Sequence, residues 1–162
     1  MSLKTKRIKR SKKRHYQTRK QKRTRKSSSG GPKYYNGIYT GIKGQCVEFV
    51  RRFLIINHGV TFSDVDSAFE IPDAQFTTLK GSPNKGSPNK GSPIKMKNDL
   101  KVGSIIVFPK NYEKNSPYGH VAIVSAITPT GITVKEKNYY DNKFTRNIKQ
   151  KDLKNVTILS LP

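Results

Sequence analysis

The stretch 119-GHVAIVSAITPTGITVKEKN-138 holds two runs of β-branched and apolar residues joined by the turn-forming 128-TPTG-131. That pattern is a pair of strands closed by a hairpin, with strands expected over His120–Ile127 and Ile132–Tyr139. If the hairpin sets Ile127 opposite Gly131, His120 falls opposite Asn138 and Glu136 is its diagonal neighbour. All three side chains then share one face, because side chains alternate along a strand. A register one residue away moves Glu136 to the far face. Further strands are expected at Val102–Phe108 and Val156–Leu161.

Upstream lies 44-GQCVEFVRRFL-54, where Val47, Val50 and Leu54 recur at helical spacing and Phe53 widens the stripe. A helix is expected from Gln45 to His58, with Gly59 as a left-handed stop. A short second helix is expected over Asp64–Ile71, capped by Ser63 and Asp66 and ended by Pro72. Helices first and a meander of strands after them make an α+β domain.

Cys46, the only cysteine, opens the first helix. Unpaired N–H groups and the macrodipole at a helix N-terminus stabilise a thiolate, and a neighbouring imidazolium does so more strongly. His15 sits in a basic tail, and His58 is about 18 Å down the same helix at 1.5 Å per residue. His120 alone opens a strand. A catalytic histidine needs a third group to fix its tautomer, and Glu136 and Asn138 are the candidates. Taken singly, each residue has a plainer reading. A lone cysteine is commonly a small buried hydrophobe. A strand histidine is commonly satisfied in a core, and Arg51 and Arg52 suit the wet side of a helix. The aromatic pair 139-YY-140 suits a core or a cleft wall.

Together the three stretches resemble the CHAP family of cysteine- and histidine-dependent amidohydrolases and peptidases. The pattern is Gln-Cys opening a helix, Gly-His-Val opening a strand, and Glu-x-Asn on the next strand. The similarity is to the amidase domains of glutathionylspermidine synthetase/amidases in particular. It runs from about Tyr35 to Leu161 and includes 57-NHGVTFSDVDSAFEI-71 and, weakly, 144-FTR-146. The resemblance implies a papain-like α+β fold with Cys46 as nucleophile, His120 as general base and acid, and Glu136 as orienting carboxylate. It implies a supporting polar role for Asn138, an oxyanion site at Gln45 with the Cys46 N–H, and substrate contact for Arg51. No metal and no organic cofactor is implied. Gly44 stands where the amidases carry a bulky aromatic, and no ATP-dependent synthetase portion is expected.

The expected function is thiol-dependent hydrolysis of an amide, in a glutathionylspermidine-like peptide–polyamine conjugate. A peptidoglycan cross-bridge is the competing substrate. A reading of another class is a basic, nucleic-acid-associated or virion structural protein that keeps the fold without turnover.

Charge divides the chain. Of its 162 residues, residues 1–26 carry 14 Lys and Arg, and no acidic residue precedes Glu48. Hydrophobic residues make up only 33%, too few for a chain packed throughout. Residues 1–33 are therefore expected to be a disordered polybasic tail and linker, and residues 34–162 the domain. Three copies of Lys-Gly-Ser-Pro within 80–95 are expected to form a surface loop. The N-terminus lacks the apolar run of a secretory signal, and no run reaches a membrane span. The expectation is an intracellular or virion-packaged monomer whose tail contacts nucleic acid or another polyanion without reading sequence.

The tail makes a separable prediction. Duplex DNA should bind the full chain with a steep salt dependence, each neutralised phosphate contributing a slope of about −0.9 in log K against log salt. A chain starting at Gly31 should lose most of that affinity. Fluorescence anisotropy across a salt series checks this, and equal affinity of the two chains would overturn it.

Overall fold

The computed structural model describes residues 30–80, 89–112, 116–139 and 144–162. The polybasic segment 1–26, the start of the linker, Tyr140 and repeat residues 81–88 lie outside the described residues. In chain order the elements are Pro32–Tyr35 (β1), Ile38–Ile42 (β2), Cys46–His58 (α1), Val60–Phe62 (β3), Phe76–Lys80 (β4), Asn89–Ile94 (β5), Ile105–Phe108 (β6), His120–Thr128 (β7), Gly131–Lys135 (β8), Thr145–Lys149 (β9) and Thr157–Leu159 (β10). Short 3-10 turns occupy Ala68–Asp73 and Gln150–Leu153. The α+β expectation holds. The central sheet is antiparallel, in the order β10-β6-β7-β8-β9, beside a three-stranded sheet β3-β4-β5 and the hairpin β1-β2.

The two faces of the central sheet bury different partners. Ile105, Val107, Val121 and Ile123 meet Phe49, Val50 and Leu54 of α1, with Ile71 and Phe76 completing that core. The opposite face buries Ile106, Phe108, Ala122, Val124, Ile132, Val134 and Ile148. Helix α1 matches its expected span. Gln45 is its N-cap, and Gly59 ends it in the left-handed region at φ 61, its N–H reaching the Ile55 carbonyl.

Several expectations are corrected. The segment 64–71 is no α-helix: a 3-10 turn begins four residues later, at Ala68. The N–H groups of Ala68 and Phe69 donate to the Tyr118 carbonyl, and Pro72 limits the length, so a six-residue 3-10 helix replaces an α-helix too short to repay its nucleation. Its N-cap is Ser67, and Glu70 in the first turn accepts from the N–H of Asp66 and Ser67, whereas the Ser63 hydroxyl accepts from Gln75 N–H. The last repeat copy is strand rather than loop, since β5 pairs along β4 and Pro93 occupies this sheet edge. The strand expected to run to Tyr139 stops at Lys135. Ordered strand begins at Pro32, and β1 and β2 are joined by Asn36 and Gly37, both with positive φ.

The hairpin register is the correction that matters most. The turn pairs Thr128, not Ile127, with Gly131, and Ile127 with Ile132. A bulge between Val124 and Ala126 then absorbs one residue, so Val124 faces Val134 and Ile123 faces Lys135. Beyond the bulge the strands lie in the register that sets Glu136 on the face of His120. The Ser125 hydroxyl, at the bulge, donates to the Thr133 carbonyl at 3.1 Å.

Gly119 fixes where β7 starts. It sits at φ +65, and a Cβ there would stand 2.6 Å from the Phe108 carbonyl oxygen and 3.0 Å from Phe69 Cβ. Gly119→Ala should lower unfolding stability by roughly 1–2 kcal/mol from the left-handed conformation alone, with the contact adding to it. Urea unfolding measures the loss, and a midpoint unchanged from the native chain would show that the close approach is not required.

Candidate active site

Cys46 is the first residue of α1 and is half-buried. The first N–H groups of a helix have no intrahelical acceptor. Serine or aspartate at the N-cap would turn its side chain back onto them. Gln45 makes no such cap. Its side-chain oxygen instead accepts from Asn138 Nδ2 at 2.6 Å, across a separation of 93 residues. The open helix end is thus left beside the thiol, and the Gln45 amide is held with its NH2 group available. Asn138 reaches Gln45 because the chain leaves β8 and turns left-handed at φ 57. It does not extend the ladder opposite His120, as an unbroken strand would have required.

His120 opens β7 opposite Phe108 of β6 and is 6% exposed. Its Nε2–H donates to Glu136 Oε2 at 3.0 Å, which leaves Nδ1 for the thiol of Cys46. Phe108 and Tyr139 flank the ring, with centroids 5.8 and 4.9 Å away. Glu136 is wholly buried. Burial works against a charged imidazole, but hydrogen bonds and charge from Cys46 and Glu136 outweigh it and carry the His120 pKa up to about 9. The arrangement can hold a thiolate–imidazolium pair between a helix N-terminus and a buried carboxylate.

The structure therefore brings Cys46, His120, Glu136, Asn138 and Gln45 together at one end of the central sheet. Arg51 is placed elsewhere. It is 2% exposed, donates to the carbonyls of Thr40 and Ser63 at 3.2 and 3.0 Å, and pairs with Asp64 at 3.2 Å. Its guanidinium lies between the rings of Phe62 and Tyr39, at 4.4 and 5.6 Å. Arg146 of β9 is a member of the site that motif reasoning passes over. Its Nε and one terminal nitrogen donate to the two oxygens of Glu136 at 2.9 and 3.1 Å, and the other terminal nitrogen reaches the Tyr139 hydroxyl at 2.9 Å. The only sequence signal for it is the weak 144-FTR-146 similarity. Among the described residues, no cluster of three or more His, Cys, Asp or Glu could hold a metal ion.

The CHAP domain family matches residues 33–138. The chain belongs to this family. The bifunctional glutathionylspermidine synthetase/amidases of Escherichia coli (strain K12) and Shigella flexneri are each 35% identical to it over 105 residues, 65% of this chain and 17% of theirs. The chain thus corresponds to a small part of those relatives' length. The crystal structure of N-acetylmuramoyl-L-alanine amidase from Staphylococcus aureus shares the fold, with a TM-score of 0.51 and 18% identity, covering 76% of this chain and 31% of that one. The CHAP match contains Gln45, Cys46, His120, Glu136 and Asn138 and ends before Arg146.

The raised His120 pKa has a definite consequence for stability. A group whose folded pKa exceeds its unfolded value of about 6.5 contributes stability below that value and loses it as pH rises through the folded pKa. Denaturant midpoints should therefore fall between pH 6.5 and about 9, and His120→Asn should remove that part of the fall. NMR of the imidazole should show Cys46→Ala moving the His120 midpoint downward, because the hydrogen bond and charge interaction with Cys46 are gone. An unmoved midpoint would mean that the thiol does not act on the ring.

Proposed function

We propose that the chain is a cysteine-dependent amidohydrolase using a Cys46–His120–Glu136 triad. The observation that carries this reading is His120, held between the thiol at a helix N-terminus and a buried carboxylate at 3.0 Å. In the proposed reaction the Cys46 thiolate attacks the amide carbonyl. The Cys46 backbone N–H and the Gln45 amide, held by Asn138, face the oxyanion as it forms. Imidazolium at His120 protonates the leaving amine, so that the C–N bond breaks and a thioester remains. Neutral His120 then takes a proton from water, hydroxide adds to the thioester, and the acid product leaves as the thiolate returns.

The proposed substrate is a glutathionylspermidine-like peptide–polyamine conjugate, cleaved at the amide that joins peptide to polyamine. The 35% identity to proteins named glutathionylspermidine synthetase/amidase supports it. A peptidoglycan amide is the competitor, supported by the fold shared with a protein named N-acetylmuramoyl-L-alanine amidase. Polyanion contact by residues 1–26 is a separate proposal resting on their charge.

Incubation with glutathionylspermidine and, separately, with soluble muropeptides, read by mass spectrometry, decides between them. The expected products are glutathione and spermidine, formed by the native chain and at least about a thousandfold more slowly by Cys46→Ala. Cleavage of muropeptides alone would move the assignment to peptidoglycan. No cleavage of either, by a chain that binds DNA, would favour the structural reading.

A further inference from the structure

We propose that Arg146 is a positioning residue, whose guanidinium holds the Glu136 carboxylate in the place and the charge state that His120 requires. The inference rests on the triad reading above and extends it by one residue, beyond the end of the CHAP match.

Three observations carry it. The first is the fork. Arg146 engages both carboxylate oxygens, at 2.9 and 3.1 Å, and the second of these is the oxygen that accepts from His120. A bidentate guanidinium fixes the plane of a carboxylate as well as its position, so the oxygen facing His120 is set by Arg146. The second is shared walling. Tyr139 and Phe108 lie 3.8 and 4.9 Å from the Arg146 guanidinium carbon, and the same two rings flank His120. The third is burial. Glu136 is 0% exposed, and a charge so placed must be paired with a cation and hydrogen-bonded. His120 cannot be that cation throughout, because the proposed reaction makes it neutral at one step. Arg146 stays charged at every step. Stability alone does not call for such a network, since buried ion pairs are often replaceable by apolar groups without loss.

The sequence places Arg146 suitably. It stands opposite Val134 on β9, and the Glu136 N–H continues the ladder to the Phe144 carbonyl. Strand alternation then puts Val134, Glu136 and Arg146 on one face. Among the described residues, the titratable groups around the pair include Cys46, from α1, and Tyr139 on the His120 side. Tyr112, Lys151, Asp152 and Lys154 line a cleft together with Arg146.

The test reads Cys46 itself, the only cysteine, by its rate of alkylation with iodoacetamide across pH in the full chain. Removing a cation raises the proton affinity of every group near it. Arg146→Met should therefore move the alkylation profile to higher pH, by about one unit or more. Arg146→Lys keeps a cation and should leave the profile in place; a shift equal to that of Arg146→Met would overturn the electrostatic part. Arg146→Met strands a buried carboxylate, so the double variant Arg146→Met/Glu136→Gln is measured beside Glu136→Gln alone. A residue that acts through Glu136 adds little in that background, whereas a further shift as large as the single variant's would sink the proposal. An unreactive Cys46 in the native chain sinks the triad reading itself. A reactive Cys46 indifferent to Arg146→Met sinks only the clamp.

Discussion

The bulge at Ser125 decides which face of the sheet receives Glu136. The turn pairs Thr128 with Gly131, and an unbroken ladder from that turn would put Ile132, Val134 and Glu136 on the face of Val121 and Ile123. That face is covered by α1. One extra residue in β7 reverses the parity, so Val134 faces Val124 and the carboxylate joins His120 and Phe108. The Ser125 hydroxyl, bonded to the Thr133 carbonyl, ties the irregular residue back to the partner strand. The contacts of Glu136 with His120 and Arg146 both follow from this one-residue displacement.

With the parity set, the site is a chain of charges that compensate one another. His120 sits between Cys46 and Glu136, and Glu136 sits between His120 and Arg146. None of the inner groups is well hydrated, so each depends on its neighbours for the solvation that water would supply. Glutamine at the N-cap serves the same end. Being too long to fold back onto the first turn, it reaches across to Asn138 and leaves the helix end directed at the thiol. Asn138 can answer because Asn tolerates the left-handed conformation that carries it off the strand.

How much of this the sequence announces depends on whether a feature is local. Helix α1 was legible from end to end, because its apolar stripe and Gly59 are both local signals. Strands β6 and β7 were legible because they are buried on both faces and read as apolar runs. Strand β9, TRNIK, buries only Ile148 and lies at the sheet edge, so it has no apolar run to find. The 3-10 turn at Ala68 owes its form to the Tyr118 carbonyl, a contact invisible in the local sequence. Asn36-Gly37 is a local hairpin signal, and both residues take the positive φ that such a turn requires. The candidate residues Cys46, His120 and Glu136 were legible by type. Their union was not, since the bulge that unites them falls in 124-VSA-126, where no glycine or proline marks it.

Arg51 and Arg146 show why residue type alone could not separate brace from site. Both guanidiniums lie against aromatic rings and both are largely withdrawn from water. What differs is the acceptor. Arg51 donates to two backbone carbonyls, from Thr40 and Ser63, and so ties the end of β2 and the segment after β3 to α1. Its carboxylate partner, Asp64, is 77% exposed, where an ion pair contributes little. Burial lowers the Arg51 pKa, with Asp64 and Tyr39 opposing it, so the charge is a cost to that region rather than its purpose. Arg146 spends its fork on a fully buried carboxylate that already holds the histidine. The first arginine could be read as a neutral donor without changing what it joins. The second cannot, because the anion beside it has no other permanent cation within reach of its oxygens among the described residues.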